Sequence, residues 1–388
     1  MIIQADSLEW LKNKEDNSID HIITDPPYLI DFLNKGWDSK DNVASSVDYW
    51  KEALRVCKSG SYALVFGHSR THHRVMTAME DAGWEIRDCV MWIYGSGFPK
   101  SHELGAKIDK AKGLIEHRGK MVKHQRGQEN YDKPEGVGKH EPISPEAKEW
   151  SGWGENLKPA YEPIIMARKP FKGSLTNNVL TNKTGALNID ACRVGTEVMP
   201  AIFTKTVITE MGWKKHAYVS PEAVGRFPAN VILDEEAGEL LDNQAPKTGN
   251  AYKATRKKKT TGGSGNSWTN SGKEEGESNG VYDGLGGASR FFYCSKVSAK
   301  ERNIGTTNNH PTVKPIELMK WLIKLVSREG QTILDPFTGS GSTGIAAELL
   351  GREFIGIEMD ADYCEIAEKR INAWKEDNKI NLNTIDEL

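Results

Sequence analysis

Two short motifs in the chain combine residue types that could hold a flat heterocycle. The first is Asp25-Pro26-Pro27-Tyr28, which directly follows the apolar run Ile19–Thr24. Two consecutive prolines fix an extended backbone and remove two amide donors. The turn is therefore rich in carbonyl acceptors and carries one carboxylate and one aromatic ring. Such a group could accept hydrogen bonds from an exocyclic amino group and stack on a nucleobase.

The second motif, Asp335–Gly344, lies near the other end of the chain and reads DPFTGSGSTG. Its glycines Gly339, Gly341 and Gly344 satisfy the GxGxxG pattern between a predicted strand and a predicted helix. Glu358 ends the next predicted strand, about 20 positions on, where such motifs place a ribose-binding carboxylate. No GK[ST] follows the glycines, which excludes a P-loop.

The acidic start of the second motif favours one cofactor over another. Asp335, directly before the glycine turn, would repel a pyrophosphate but would suit the ammonium group of an amino acid. A cofactor with an adenosine at one end and an amino acid at the other is S-adenosylmethionine. A nicotinamide-dependent oxidoreductase, based on GxGxxG alone, is an alternative that leaves Asp25–Tyr28 unexplained.

Together the two motifs resemble those of the amino-group DNA methyltransferases, which make N6-methyladenine or N4-methylcytosine. In that family a [DNS]PP[YFW] motif holds the target base and an FxGxG motif holds S-adenosylmethionine. Here the base motif precedes the cofactor motif and a long variable region separates them, an order that resembles the circularly permuted β group. His310–Pro315 resembles the family's motif before the FxGxG strand. Four further segments resemble those of phage and prophage DNA methylases: Tyr94–Lys100, Lys158–Arg168, Asn188–Arg193 and Gly225–Leu233.

The resemblance implies a role for each motif residue. The Asp25 carboxylate and the Pro26 carbonyl would accept the two amino hydrogens of a flipped-out base, on which Tyr28 would stack. The implied catalytic residues are Asp25, Pro26, Pro27 and Tyr28. The implied cofactor-binding residues are Asp6, Thr312, Lys314, Asp335, Phe337, Gly339, Gly341 and Glu358.

Within the cofactor set, Glu358 would bind the ribose and Asp6 the adenine, and Thr312 and Lys314 would anchor the cofactor carboxylate. Glu358 has an alternative role, in which it stabilises the N-terminus of the last helix through the helix dipole. The basic run Arg256–Lys259 could contact DNA phosphates or form a solvated charge cluster, and the sequence does not choose between these.

We therefore predict a site-specific DNA (adenine-N6) methyltransferase. Asp25 favours adenine, because Ser is commoner at this position in the cytosine-N4 enzymes, which remain the alternative. A second alternative is a non-catalytic DNA-binding regulator built on the same domain, against which the intact Asp25, Tyr28, Gly339 and Gly341 argue.

Composition restricts the partners. The net charge of −3 gives no global nucleic-acid signature, so a DNA-binding surface must be local. No apolar run approaches the roughly 20 residues that span a bilayer, and the five scattered cysteines lack metal-ligand spacing. We expect a cytoplasmic protein of a bacterium or a phage-infected cell that acts on double-stranded DNA, with no membrane and no metal. A homodimer and a cognate restriction enzyme stay open.

The elements that must position the two motifs alternate between strand and helix at both ends of the chain. Strands are predicted at Ile2–Gln4, Ile19–Thr24, Ser61–Phe66, Trp84–Tyr94, Val231–Leu233, Thr332–Leu334 and Glu353–Glu358. Neither end holds enough strands for a complete doubly wound sheet. We therefore predict one Rossmann-like α/β domain, circularly permuted and closed by both termini.

This sheet implies three regions. Residues 1–110 would form the catalytic half, 290–388 the cofactor-binding half, and 111–289 an irregular insertion for target recognition. Within the insertion, a hairpin near 158–170 would return to the core. Between Lys247 and Gly287 the chain is rich in Gly, Ser, Thr, Asn and Lys and predicts a mobile loop, because it cannot bury much apolar surface.

Overall fold

The computed structural model describes residues 1–30, 42–95, 97, 103–115, 141–199, 202–204, 218–220, 223–245, 287–295, 301, 303–308 and 313–385. The chain divides into two compact units. The large unit comprises Met1–Gly95 and Tyr161–Leu388, and the small unit comprises Ser96–Ala160. Most of the predicted loop Lys247–Gly287, including Arg256–Lys259, lies outside the described residues.

All described strands belong to the large unit. In chain order they are β1 (Ile2–Gln4), β2 (His21–Thr24), β3 (Tyr62–Phe66), β4 (Glu85–Ile93), β5 (Tyr161–Arg168), β6 (Val194–Met199), β7 (Ile202–Thr204), β8 (Tyr218–Ser220), β9 (Ala223–Arg226), β10 (Val231–Asp234), β11 (Tyr293–Ser295), β12 (Thr332–Asp335) and β13 (Glu353–Glu358). Nine of them form one sheet in the order β1-β13-β12-β2-β3-β5-β4-β10-β11. The remaining four pair antiparallel as β6 with β9 and β7 with β8.

Helices cover both faces of the nine-stranded sheet. In the large unit they are α1 (Ser7–Asn13), α2 (Val47–Val56), α3 (His72–Asp81), α6 (Leu175–Asn182), α7 (Glu235–Gln244), α8 (Ile316–Val326), α9 (Ser342–Leu349) and α10 (Ala361–Ile385). The small unit contains α4 (Leu104–Ala111) and α5 (Pro145–Glu149). Adjacent residues of β2 point to opposite faces, so Ile22 packs in the cluster with α1, α2 and α3, and Ile23 in the cluster with α8 and α9. This arrangement explains why the predicted strands are continuous apolar runs.

The order of the strands creates a crevice between β12 and β2. From β12 the chain passes through α9 to β13 on one side, and from β2 it passes through α2 to β3 on the other. In open α/β sheets, ligands bind outside the carboxyl ends of two such neighbouring strands. The fold therefore puts the residues that follow Thr24 and Leu334 at a binding edge.

Both termini complete the same sheet, as predicted. β1 pairs in parallel with β13, with Ile3 opposite Ile357, and the N-terminal ammonium donates to the Phe354 carbonyl over 2.8 Å. The circularly permuted Rossmann-like fold predicted from the sequence is confirmed. Near residues 158–170, however, the structure has the single strand β5 rather than a hairpin. β5 lies antiparallel between β3 and β4, which supply both of its partners from elsewhere in the chain.

The small unit is held together by buried polar contacts. Asp109 of α4 is fully buried and accepts hydrogen bonds from the amides of Ile143 and Ser144 and from the Ser144 hydroxyl, at 2.6–3.0 Å. The Ser144 hydroxyl in turn caps α5 by accepting from the Ala147 amide. These bonds join α4 to the start of α5, because Asp109 and Ser144 are 35 residues apart in the chain.

Three further observations concern the cysteines, metal-binding clusters and membrane-spanning helices. All five cysteines are free thiols. Within the described ranges, no cluster of His, Cys, Asp and Glu side chains could hold a metal ion. Among the same residues, none of the helices combines the length and apolarity that crossing a bilayer requires.

Candidate active site

The two motifs meet at the carboxyl ends of adjacent strands. β2 and β12 pair in parallel, with Ile22 opposite Leu334. The Thr24 hydroxyl, at the end of β2, donates to Asp335 Oδ1 over 2.6 Å in a buried position. Asp25 follows Thr24 directly. The base motif therefore begins one residue after the side chain that contacts Asp335, the first residue of the glycine turn. The structure thus brings the two motifs together at one edge of the sheet.

Asp25 has one bound and one unbound carboxylate oxygen. Its Oδ2 atom accepts a hydrogen bond from Lys314 Nζ over 2.6 Å. Its Oδ1 atom is buried and has no hydrogen-bond partner among the described residues. Leaving a buried acceptor unsatisfied costs about 1–3 kcal/mol. A ligand that brings an N–H group to Oδ1 would remove this cost.

The backbone of the base motif is fixed from outside the motif. The hydroxyl of Thr71, just before α3, donates to the Tyr28 carbonyl over 2.5 Å. Leu29, the next residue, has φ of 60° although it is not glycine, and it is 2% exposed. A left-handed non-glycine residue costs roughly 1–2 kcal/mol and persists where the surrounding structure holds it in place. The turn that carries Tyr28 is therefore held in one conformation.

The Tyr28 hydroxyl bridges two charged residues. It donates to Glu162 Oε2 over 2.8 Å and accepts from Lys314 Nζ over 2.9 Å. Burial raises the pKa of Tyr28 well above its ordinary value, and the negative charges of Asp25 and Glu162 raise it further. The phenol therefore stays protonated at neutral pH and remains a donor.

Lys314 is the centre of this cluster. Its side chain is 8% exposed, and besides Asp25 and Tyr28 it contacts Glu162 Oε2 at 3.2 Å. Its ammonium also lies 4.9 Å from the ring centroid of Phe66, at the end of β3. Burial by itself lowers the pKa of Lys314, but the carboxylates of Asp25 and Glu162 outweigh burial and raise that pKa above its ordinary value. The ammonium is therefore charged at neutral pH.

Asp335 organises the start of the glycine turn. It is 2% exposed, and its oxygens accept from the hydroxyls of Thr24 and Thr343, at 2.6 and 2.5 Å, and from the Phe337 amide at 3.2 Å. Burial raises the pKa of Asp335 to about 6, although the hydrogen bonds from Thr24, Thr343 and Phe337 oppose that shift. This carboxylate ties β2, β12 and the first turn of α9 together.

The glycines let the turn approach its neighbours closely. Gly341 has φ of 82°, and a Cβ atom there would lie 3.0 Å from Ala367 Cβ of α10. A Cβ atom at Gly344 would lie 2.5 Å from the ring of Phe354, so α9 packs directly on β13. Arg370, fully buried in α10, donates to the carbonyl and, over 3.0 Å, to the hydroxyl of Ser340. The turn is therefore fixed against α10.

Glu358 is held by three backbone amides. Its Oε2 accepts from Gly339 over 2.9 Å, and its Oε1 accepts from Met359 and Asp360, each over 2.9 Å. Burial raises the pKa of Glu358, and these hydrogen bonds oppose the shift. At the start of α10, Asp360 Oδ1 accepts from the amides of Asp362 and Tyr363, at 2.9 and 3.3 Å. Asp360, rather than Glu358, therefore caps the last helix.

The remaining predicted cofactor residues occupy different surroundings. Asp6 follows β1 at the same edge as Glu358, is exposed, and caps α1 by accepting from the Glu9 amide over 3.0 Å. The Phe337 ring packs on Tyr49 of α2, with 5.5 Å between centroids. Thr312 lies outside the described residues.

The glycine turn and Glu358 fit an adenosyl amino acid. Glu358 offers a positioned carboxylate for hydroxyl donors, and the turn beside it has positive φ at Gly339 and Gly341, which lets the backbone turn tightly. The Ser342 hydroxyl, in the first turn of α9, is buried with no partner in the part of the chain that the structure describes. A ligand with hydroxyl, ammonium and carboxylate groups matches this set of donors and acceptors.

Sequence reasoning missed three residues that shape the site. Glu162 lies in the mostly apolar strand β5, whose sequence is YEPIIMAR. Its only signal was that it is the one acidic residue of that strand. Thr24 and Thr343 flank the two motifs and contact Asp335. The available signal for Thr24 was its position at the end of a predicted strand, directly before the Asp25 carboxylate.

Comparison with known proteins gives a match across both motifs. The family model of the N6/N4 methyltransferases, described as DNA methylase, matches residues 19–369. The Type II methyltransferase M.HindIII of Haemophilus influenzae is 23% identical over 416 aligned positions, which cover 96% of each chain. The Type II methyltransferase M2.DpnII of Streptococcus pneumoniae is 51% identical over 69 residues, which cover 18% of this chain and 26% of that protein.

Two solved structures align with most of the chain. The M1.HpyAVI–SAM complex is 16% identical with a TM-score of 0.40, covering 96% of this chain and 98% of that one. The cytosine-N4-specific PvuII DNA methyltransferase is 15% identical with a TM-score of 0.45, covering 95% of this chain and 85% of that one. Family membership rests on the sequence model, whose match contains both Asp25 and Asp335. The chain belongs to the N6/N4 DNA methylase family, and it is a DNA methyltransferase that uses S-adenosylmethionine.

Proposed function

We propose that the chain is a DNA (adenine-N6) methyltransferase in which Asp25 receives the amino group of a flipped-out base. One observation carries this proposal. Asp25 Oδ1 is a buried acceptor without a partner in the described structure, at the crevice between β12 and β2. An exocyclic amino group supplies the N–H that this oxygen lacks.

Two acceptors would activate the amino nitrogen. Its lone pair is delocalised into the heterocycle, which makes it a poor nucleophile. Asp25 Oδ1 accepts one N–H and the Pro26 carbonyl accepts the other, and both bonds favour the pyramidal nitrogen of the transition state. Bound S-adenosylmethionine supplies an electrophilic methyl group. Asp25 also takes up the proton that the nitrogen sheds after transfer and passes it to solvent.

Tyr28 would hold the base in place. The residue is held at its backbone carbonyl by Thr71, and its ring is held at the hydroxyl by Glu162 and Lys314. A rigid ring can stack on an extruded base, which offsets part of the few kcal/mol that unstacking from the duplex costs. This assigns Tyr28 to binding of the base and not to proton transfer.

The cofactor would bind on the β12 side of the crevice. Glu358 accepts from the ribose hydroxyls, and Asp6, at the same edge, lies toward the adenine. Asp335 provides negative charge for the ammonium group. The residues proposed to complete this site are Phe337, Gly339, Gly341 and Thr312.

The choice of adenine rests on Asp25, because the cytosine-N4 enzymes more often carry Ser there. Relatives named Type II methyltransferases support a role beside a restriction endonuclease. We place the enzyme in the cytoplasm, where its DNA substrate lies. We assign target recognition to residues 111–289, apart from strands β5 and β10, which belong to the central sheet.

The test is methyl transfer from isotopically labelled S-adenosylmethionine to duplex DNA of mixed sequence, followed by nucleoside analysis. We expect labelled N6-methyladenine. Labelled N4-methylcytosine alone would overturn the base assignment. Absence of label in any DNA, with cofactor binding intact, would instead favour a non-catalytic DNA-binding protein.

A further inference from the structure

The ammonium of Lys314 has a partner for each of its three hydrogens. Asp25 Oδ2 lies at 2.6 Å, the Tyr28 hydroxyl at 2.9 Å and Glu162 Oε2 at 3.2 Å. The aromatic rings of Tyr28 and Phe66 lie 5.3 and 4.9 Å from Nζ and shield it further. With 8% of the side chain exposed, the lysine is committed to these neighbours.

These contacts determine which oxygen of Asp25 is available. Lys314 holds Oδ2, so rotation of the carboxylate would break a short charge-assisted bond. Oδ1 stays unpartnered among the described residues as a result. The lysine thereby sets the direction in which the catalytic carboxylate presents its acceptor.

Glu162 acts on the other end of the same cluster. It accepts from Tyr28 and from Lys314 through one oxygen, Oε2, and so links the hydroxyl of the stacking ring to the cation. Both Asp25 and Glu162 carry negative charge in a mostly buried site, and Lys314 is the cation they share. Removing a shared cation from a buried cluster leaves unpaired charges, which is strongly unfavourable.

We propose that Lys314 and Glu162 are positioning residues that orient the Asp25 carboxylate and the Tyr28 ring for the target base. The inference rests on the proposed function, since it concerns the same base site. It assigns Lys314 a task other than anchoring the cofactor carboxylate, because its three N–H donors already have protein partners. Neither residue touches the reacting atoms in this assignment.

The test compares Lys314→Met, Glu162→Gln and the double variant in two assays. One assay measures the dissociation constant of S-adenosylmethionine, and the other the single-turnover rate of methyl transfer to DNA. Lys320→Met is the matched control for the lysine, because Lys320 pairs with Glu317 on the same helix, α8. Glu85→Gln is the control for the glutamate, because Glu85 pairs with Arg168 at the far end of β5.

We expect Lys314→Met to lower the single-turnover rate about 100-fold while the cofactor dissociation constant changes less than about threefold. Glu162→Gln keeps the Lys314–Asp25 bond and should lower the rate about tenfold. The double variant should be faster than Lys314→Met alone, because the neutral amide introduced by Glu162→Gln removes one of the two uncompensated charges. The two controls should keep the wild-type rate.

Partial recovery in the double variant separates positioning from general damage to the structure, since independent damage would add. A double variant that is slower than Lys314→Met would overturn the proposal. So would a collapse of cofactor affinity in Lys314→Met, which would return the lysine to the cofactor carboxylate. If Lys314→Met does not fold, Glu162→Gln decides: a rate equal to that of Glu85→Gln contradicts the proposal.

Failure of the function itself would look different. In that case the wild-type protein would transfer no methyl group to any DNA, and no variant could be compared. An active wild type with unaffected Glu162→Gln and Lys314→Met variants would reject the positioning role alone.

Discussion

The two halves of the site are built in opposite ways. The glycine turn from Asp335 to Gly344 is held mainly by its own residues, by Glu358 and by α10, with one distant contact from Thr24. The base motif Asp25–Tyr28 is held by partners far away in the chain, at separations of 43, 134 and 289 residues. A local motif can therefore specify the cofactor side, whereas the base side depends on the completed fold.

The two halves also differ in the hydrogen bonding of their aspartate carboxylates. Asp335 accepts three hydrogen bonds through both oxygens. Asp25 accepts one through Oδ2, and its Oδ1 has no partner among the described residues. A saturated carboxylate stabilises a fixed turn, and an unsaturated one is available to a ligand. Substitutions on each side should separate these two roles.

On the cofactor side, the largest effect on affinity and stability is expected from Gly341→Ala. The residue has φ of 82°, and its Cβ would meet Ala367 at 3.0 Å, so the turn must shift. We expect cofactor affinity to fall at least about 100-fold and unfolding free energy to fall by roughly 2–4 kcal/mol. Isothermal titration and chemical denaturation measure the two quantities. Wild-type affinity in this variant would show that the turn does not set the cofactor site.

The second effect concerns the pH dependence of stability. Because the folded pKa of Asp335 is about 6 and its ordinary value is 3.8, the folded state binds the proton more tightly than the unfolded state. Stability from this group is therefore greatest below pH 4 and is lost as pH rises to 6, by about 3 kcal/mol.

Asp335→Asn should remove this contribution. Denaturation midpoints measured between pH 4 and 7 should fall less steeply with rising pH in the variant than in the wild type. The carboxylate of Glu358, whose pKa is also raised, is present in both proteins, so its contribution cancels when the two pH curves are compared. Parallel pH curves for the two proteins would mean that Asp335 titrates at its ordinary value.

A smaller effect is expected at the link between the halves, from Thr24→Val. The substitution keeps the shape of the side chain but removes the donor to Asp335 Oδ1. We expect a loss of about 1–3 kcal/mol in unfolding free energy, measured by urea denaturation at pH 7. Thr77→Val, at an exposed position of α3, serves as the control. An equal loss in both variants would contradict a special role for Thr24.

Much of the fold could be predicted because its signals are local. The bounds predicted for the strands Ile2–Gln4 and Glu353–Glu358 agree with the structure, since short apolar runs mark them. The strand order could not be predicted where it depends on distant pairing. β5 is the clearest case, because its neighbours β3 and β4 lie about 70 to 100 residues earlier in the chain.

The site was predictable to the same extent. The sequence placed Asp25 and Asp335 at strand ends, and the parallel pairing of β2 with β12 brought them together. It did not reveal that Lys314 contacts Asp25, because the spacing of two residues 289 positions apart carries no geometric signal. Glu162 was missed for the same reason, since its partner Tyr28 lies 134 positions away.

The central claim is that the open oxygen of Asp25 serves the base and not the cofactor. The most direct measurement is the single-turnover methylation rate and the cofactor dissociation constant of Asp25→Ala, with Asp48→Ala, an exposed aspartate of α2, as control. The account predicts a rate loss of at least about 1,000-fold with cofactor affinity within about threefold of the wild type. A loss of cofactor affinity that matches the loss of rate would contradict it.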